Sequence, residues 1–290
     1  VPLTHTRVFR IRHYECDAYG KLSYATYLRY MQEAAFDASA AAGYGNARYA
    51  EMKRTWLIRE SEVEYLCPLR YGDSAAVKTW VIDFRRIRSY RAYEFRRAGS
   101  DELVAQARTD WVFLDGETLH PVNIPREMME GFFPEGPPEP APPRERFPTP
   151  EEPPPGSFTA RRCAEWRDID PAQHVNNAIY LSYMVDGSIQ AAGSYGWPVE
   201  RMRTEGFDAV MRRCRIEYKQ PAVLGDALEV ATWMTDVQDA AFTRHFTVRR
   251  LPDEALLSRA CTGWACVHVE TGEERRFPPA FLSDMAPNIL

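Results

Sequence analysis

The sequence predicts an α+β chain of two like domains, each a long helix followed by an antiparallel sheet that wraps it on one face. Three observations carry that prediction. The 290-residue chain repeats itself at an offset of 153 residues without a gap. Asp17 falls on Asp170, Tyr27 and Leu28 on Tyr180 and Leu181, and Tyr30 and Met31 on Tyr183 and Met184. Glu64 and Tyr65 fall on Glu217 and Tyr218, Gly72 and Asp73 on Gly225 and Asp226, Trp80 on Trp233, and Trp111 on Trp264. Within each copy, a helical period gives way to strand-like runs. Between the copies lies a proline-rich segment.

The elements follow in order. Residues 7–13 alternate as a first strand does. From Tyr24 to about Ala42 the period changes: Tyr27, Tyr30, Met31, Ala34 and Ala35 recur at helical spacing, and the alanine-rich run after them favours helix. The second copy repeats the stripe with Tyr180, Tyr183, Met184 and Gly187, and the small Ala34 and Gly187 would let a sheet approach closely. Runs near 56–66, 74–84, 89–98 and 103–115 are rich in Val, Ile, Trp, Tyr and Phe and are separated by Gly- and Asp-containing turns. Residues 134–155 contain half of the chain's 22 prolines. With no backbone donor and a fixed φ, that stretch is an extended connector that reaches about 60 Å. The expected domains are 1–133 and 158–290, joined by a linker at 134–157.

Composition narrows the function. Hydrophobic content of 45% and charged content of 27% are ordinary for a globular protein. The sequence has neither a membrane-length apolar run nor a signal-peptide core, so a cytoplasmic location is expected. A net charge of −5 argues against general nucleic-acid binding. The six cysteines have no cysteine partner at the 153 offset and no CxxC spacing, which points to structural thiols and to no metal site. No cofactor is expected.

The candidate chemistry sits between the first strand and the long helix. The first copy reads HYECDAYGKLSYATYLRY from His13 and the second WRDIDPAQHVNNAIYLSY from Trp166. Asp17 and Asp170 each precede the expected helix start, Tyr24 or Asn177, by seven residues. A helix N-terminus presents unpaired N–H groups and partial positive charge, which can hold a developing oxyanion. A carboxylate beside it can attack a carbonyl or activate water. The same residue types also serve as plain helix caps. His174 either positions water and orients Asp170 or bonds the backbone. Asn176 and Asn177 read as caps or as substrate contacts, and Ser23 as an N-cap.

These residues resemble hotdog-fold thioesterases of the 4-hydroxybenzoyl-CoA thioesterase-like group. The match rests on Asp17, Gly20, Tyr24 and YLRY at 27–30, and on Asp170, HVNN at 174–177 and YLSY at 180–183. The segments VEYLCPLRYGD at 63–73 and IEYKQPAVLGD at 216–226 extend it. The resemblance implies two tandem hotdog domains packed as an internal pseudo-dimer. It makes Asp17 and Asp170 the candidate catalytic carboxylates and the amides near Tyr24 and Asn177 the candidate oxyanion donors; His174 is a catalytic candidate beside Asp170 alone, since Lys21 stands in its place in the first copy. The substrate would be an acyl thioester of coenzyme A or of an acyl carrier protein, and copies of the chain could assemble further. The fused arrangement also resembles acyl-ACP thioesterases, whose second domain carries D-x-N-x-H-V-N-N. Here Ala172 replaces the asparagine, and Pro221 or Ala222 stands where that family has an acid or cysteine. The aspartate-only chemistry therefore fits better.

A further candidate is FRRIRSYR at 84–91, where Arg85, Arg86, Arg88 and Arg91 could meet the phosphates of coenzyme A or an acidic carrier surface. A solvated basic hairpin is the alternative. The second copy keeps only Arg244 there, so the two sites are not expected to be equivalent; Arg212, Arg213 and Arg215 could serve the second copy. The leading expectation is an acyl-thioester hydrolase. A non-catalytic acyl-thioester binder comes second and a hotdog dehydratase third.

Overall fold

A computed structural model describes residues 2–136 and 146–290. The chain forms two compact units, Val1–Glu145 and Arg146–Leu290. In the first unit, β1 (Thr4–Arg10) leads through a 3₁₀ turn at His13–Glu15 into α1 (Tyr24–Ala41) and a short α2 (Asn46–Met52). Then come β2 (Arg54–Tyr65), β3 (Ser74–Arg85), β4 (Arg88–Arg97), β5 (Leu103–Asp115) and α3 (Arg126–Phe132). The strands form an antiparallel sheet in the order β1-β3-β4-β5-β2. The second unit repeats this with β6 (Phe158–Cys163), a 3₁₀ turn at Trp166–Asp168, α4 (Asn177–Ser194) and α5 (Val199–Thr204). It continues with β7 (Phe207–Tyr218), β8 (Ala227–Thr235), β9 (Ala241–Arg250), β10 (Leu256–His268) and α6 (Pro279–Met285), in the antiparallel order β6-β8-β9-β10-β7.

The 153-residue offset extends to irregularities. The β2–β5 ladder skips a residue between Ile58 and Glu60, and the β7–β10 ladder skips the equivalent one between Met211 and Arg213. Such bulges bend a strand and raise its twist, which lets a sheet curl around a helix.

The long helices bury the expected stripes: Tyr27, Leu28, Tyr30, Met31, Ala34, Ala35 and Ala38 in α1, and Tyr180, Leu181, Tyr183, Met184, Gly187 and Ala191 in α4. A Cβ at Gly187 would lie 3.2 Å from Val230 Cγ1, so the approach of β8 depends on the absent side chain. Both helices stop by one device. Gly43 and Gly196 take φ near +86°, and the next residue bonds back across the last turn, Tyr44 N–H to Ser39 O at 2.8 Å and Trp197 N–H to Ala192 O at 2.8 Å. Trp197 then enters an aromatic core with Phe207 and Phe281 at 5.7 and 5.4 Å.

The structure corrects one sequence expectation and adds short helices that the sequence did not foretell. The first strand ends at Arg10 rather than continuing to residue 13, because buried Ile11 gives its N–H to Asp73 O and the chain turns. The short α2 between α1 and β2 was not foreseen. The helices α3 and α6, which pack Phe132 and Phe281 into their cores, were not foreseen.

Residues 137–145 of the expected linker lie outside the described residues. From Arg146 onward the connector packs with the second unit. Phe147 is buried between the guanidinium groups of Arg215 and Arg259, 4.9 and 4.8 Å from its ring. Thr149 is buried, donates its hydroxyl to Ala260 O at 2.9 Å, and accepts from His245 Nδ1 at 2.9 Å. Arg259 Nη1 donates to Thr149 O at 2.6 Å. This strap lies across the strands that carry Arg215, His245 and Arg259. All six cysteines are free thiols, and among the described residues no helix is long and apolar enough to cross a membrane.

Candidate active site

Each candidate carboxylate sits in a tight turn between a 3₁₀ turn and the long helix. In the second unit, Ile169 and Val175 pair as an isolated antiparallel bridge. Asp170 N–H donates to His174 O at 3.0 Å, and Gln173 N–H to Asp170 O at 2.9 Å with Gln173 at φ +62°. In the first unit, Cys16 and Leu22 pair likewise, Asp17 N–H donates to Lys21 O at 2.8 Å, and Gly20 N–H to Asp17 O at 2.9 Å with Gly20 at φ +70°. The backbone of the two loops is therefore the same, while the side chains differ.

Asp170 is partly buried. Its Oδ1 accepts from Ala172 N–H at 2.9 Å, and its Oδ2 accepts from Asn176 Nδ2 at 3.1 Å. His174 Nδ1 lies 3.7 Å from Asp170 Oδ1 and 3.3 Å from Val175 O. Because a carbonyl can only accept, a hydrogen bond to Val175 puts the proton on Nδ1 and leaves Nε2 as the basic nitrogen. Asn176 is the N-cap of α4, since its Oδ1 accepts from Ala178 N–H at 3.0 Å. One amide thus caps the helix and holds the carboxylate. Asn177 is the first residue of α4, and its side-chain Nδ2 is buried without a hydrogen-bond partner among the described residues.

Asp17 is held differently. Its Oδ1 accepts both Tyr19 N–H at 2.8 Å and Lys21 N–H at 3.0 Å. Where the second unit has His174, Lys21 stacks its ammonium on Tyr19 at 5.2 Å. Ser23 occupies the N-cap position of α1 before Tyr24, but its hydroxyl pairs with Thr26 Oγ1 at 2.8 Å rather than capping the backbone. Only the second unit brings a carboxylate, an imidazole and a capping amide together.

A residue pair that sequence reasoning missed fixes both loops. Tyr183 donates its hydroxyl to Asp168 Oδ2 at 2.6 Å, and the same oxygen accepts Glu165 N–H at 2.9 Å. In the first unit Tyr30 donates to Glu15 Oε2 at 2.7 Å, which also accepts Arg12 N–H at 2.8 Å. Burial and the adjacent carboxylate push both phenols well above their ordinary pKa. The acids differ by one methylene, so a search for identical pairs passes over them. A second tie comes from Tyr180, whose oxygen accepts Ala222 N–H at 2.8 Å, while Ala222 O accepts Val175 N–H at 2.8 Å.

The arginine cluster does not converge. Arg85 Nε donates to Asp83 at 2.6 Å, Arg86 Nε to Asn123 Oδ1 at 3.1 Å, and Arg88 Nε to buried Asp110 at 3.2 Å. Arg91 lies on the opposite face of β4, 5% exposed, donating to Thr79 Oγ1 at 3.3 Å and facing Phe132. Strand residues three apart point to opposite sides, so Arg88 and Arg91 cannot share one surface. Arg244 repeats the buried arrangement with Thr232 Oγ1 at 3.3 Å and Asn288 Oδ1 at 3.2 Å, and burial lowers its pKa to about 10. Arg215 is engaged by the strap, and Arg212 is the bulge residue of β7. Among the described residues no three His, Cys, Asp or Glu side chains converge as metal ligands would.

Comparison with known proteins adds the following. Residues 11–132 and 164–285 both match the family described as the thioesterase-like superfamily. The chain is 25% identical over 266 residues to a chloroplastic palmitoyl-acyl carrier protein thioesterase of Cuphea hookeriana, a match covering 88% of this chain and 61% of that protein. It thus spans less than two thirds of the length of such curated relatives. Its fold matches an acyl-ACP thioesterase from Bacteroides thetaiotaomicron with a TM-score of 0.69 at 20% identity, covering 90% of this chain and 97% of that one. It matches a 12:0-ACP thioesterase from Umbellularia californica with a TM-score of 0.70 at 18% identity, covering 90% and 93%. These likenesses show the fold: two hotdog domains in one chain.

Proposed function

Because the chain belongs to the thioesterase-like superfamily, we propose that it hydrolyses acyl thioesters, with Asp170 as the reacting carboxylate. The observation that carries this reading is the grouping at the start of α4. Asp170 is held there by Ala172 N–H and Asn176 Nδ2, with His174 Nδ1 3.7 Å away. In the proposed step, Asp170 takes a proton from water as the water oxygen bonds to the thioester carbonyl carbon. The N-terminus of α4 and the Asn177 amide supply donors to the oxyanion that forms. When the intermediate collapses, the carbon–sulfur bond breaks. The thiolate leaves with the proton that Asp170 carried, and the products are a free acid and a thiol. Asn176 and His174 hold the carboxylate in its orientation.

The substrate class follows from the relatives, whose names specify thioesters of an acyl carrier protein. Acyl carrier protein and coenzyme A thioesters are the two substrates we expect to be turned over, with the cytoplasm as the expected compartment. Asp17 has a smaller part in this reading, because its loop holds no imidazole and Ser23 does not cap the helix. The test is thiol release by the full chain from acyl-CoA and acyl-carrier-protein thioesters, with Asp170→Asn and Asp17→Asn in parallel. A second reading, acyl-thioester binding without turnover, is favoured by one observation. Pro221 and Ala222 have no side-chain chemistry, and Ala222 is buried with its backbone committed to Tyr180 and Val175. Saturable binding of an acyl thioester with no thiol released would support it.

A further inference from the structure

The strap of the second unit reaches the segment that anchors the Asp170 loop. Ala222 N–H donates to the Tyr180 oxygen and Ala222 O accepts Val175 N–H, both at 2.8 Å, and Val175 closes the loop through its bridge to Ile169. Lys219 follows the end of β7, three residues before Ala222, and its N–H donates to Leu257 O at 2.8 Å. Pro221 lies between them with its φ fixed by the ring, so the connection is short and stiff. A displacement of Lys219 is therefore passed to the clamp on the loop.

The strap holds Lys219 directly. Lys219 Nζ lies 3.1 Å from Glu151 Oε1 on the strap and 3.4 Å from Glu217 Oε2. Glu217 is buried and accepts from Arg259 Nε at 2.7 Å, the same guanidinium that donates to Thr149 O. Arg249 Nη2 holds the acidic end of the strap, donating to Glu151 O at 2.8 Å and pairing with Glu152 at 2.6 Å. An exposed ion pair contributes little when two free side chains must be ordered to form it. Here Phe147 and Thr149 are buried, so the backbone that presents Glu151 is already fixed.

The seat of the strap belongs to one unit. Its partners are Arg215, Lys219, His245, Arg249 and Arg259, and at the 153 offset the first unit has Glu62, Leu66, Ala92, Arg96 and Gln106. The clamp itself recurs in the first unit, where Leu22 N–H donates to Leu69 O at 2.7 Å. The full set of strap partners thus accompanies the unit in which Asp170, His174 and Asn176 come together.

We infer that the strap is a positioning clasp for the Asp170 loop, with Glu151 and Lys219 as the link between them. The inference rests on the hydrolase reading and adds what keeps its carboxylate aligned. Glu151 and Lys219 are positioning residues, because they act through the Ala222 clamp. With the strap seated, the turn between β7 and β8 is held and the loop opens rarely. With the strap released, Ala222 and Val175 part more often, and Asp170 spends less time in the reacting orientation. Alignment of the carboxylate matters in the transition state rather than in substrate binding, so the loss falls on kcat.

The test uses the full chain in three altered forms. Phe147→Ala combined with Thr149→Ala removes the buried anchors, Lys219→Ala cuts the link, and Lys219→Arg keeps the ion pair. Each is measured by steady-state thiol release from an acyl-CoA and by amide hydrogen exchange. For the first two, kcat is expected to fall about threefold or more with KM within about twofold. Exchange of residues 169–177 should become roughly tenfold faster, while that of residues 185–194 in α4 stays within about twofold. Lys219→Arg should return both readings to the parent values. Exchange that rises equally throughout the second unit overturns the inference, because the strap then only stabilises the fold. Unchanged exchange of the loop overturns it, as does an unchanged kcat in an active chain or a change confined to KM. If the parent hydrolyses no thioester, the hydrolase reading fails by itself, and exchange of the loop decides the clasp alone.

Discussion

Asp170 and Asp17 occupy the same backbone turn, yet only Asp170 has a side-chain amide on its second oxygen and an imidazole beside it. The difference comes from two positions, Asn176 against Ser23 and His174 against Lys21. Both were legible in the sequence as mismatches within a repeat. The acid–tyrosine clamps were not, because Glu15 and Asp168 match in chemistry rather than identity. Each clamp joins a loop to the middle of its helix through a hydrogen bond to a carboxylate, worth about 1.5–3 kcal/mol. Tyr183→Phe is therefore expected to lower unfolding free energy by that amount and to reduce kcat more than it raises KM, since the Asp170 loop loses its anchor. Urea denaturation together with steady-state kinetics checks it. Tyr30→Phe should show a similar loss of stability with the smaller effect on kcat.

Helices and strands were the most legible part of the sequence. The helical stripe and the alternating runs come from burial on one face, which leaves a period in the residues. The short α2, α3 and α6 left little trace, because a helix of seven residues has too few turns to show one. Strand alternation also separates the candidate arginines: Arg91 is buried on the face of β4 opposite Arg88. Gly187 marks the tightest helix–sheet approach, where an added Cβ would lie 3.2 Å from Val230. Gly187→Leu is expected to cost about 1–3 kcal/mol by overpacking. Gly187→Ala should cost far less, since Ala34 fills that position in the first unit. Denaturant unfolding of both variants decides it.

On the scale of the whole molecule, the repeat gives two units of one fold with different surfaces. Its proline-rich connector shows how composition can understate structure. Proline rules out helix and central strand, but Phe147 and Thr149 decide that the chain from Arg146 packs as a strap. The strap is tied to an ionisable group. His245 gives Nδ1–H to Thr149, lies 3.1 Å from Thr235 Oγ1 through Nε2, and stacks on Trp233. Burial lowers its pKa from the usual 6.5, opposed by the charge of Asp236. The unfolded chain therefore binds a proton near pH 6.5 that the folded chain takes up only at lower pH. Stability is lost as pH falls through that window. The melting temperature of the parent should fall more steeply between pH 7 and pH 5 than that of His245→Gln. Equal slopes would remove His245 from the account.

The central claim, that the grouping at the start of α4 hydrolyses acyl thioesters, is tested most directly by thiol release from acyl-carrier-protein and acyl-CoA substrates. The account predicts one free acid per thiol released by the full chain. It also predicts a folded Asp170→Asn variant with kcat reduced on the order of 10²–10⁴-fold, the usual contribution of a general base. Asp17→Asn should lose less. Full activity in Asp170→Asn, Asp17→Asn and the double variant would contradict the account, as would the absence of thiol release from every substrate while the chain remains folded.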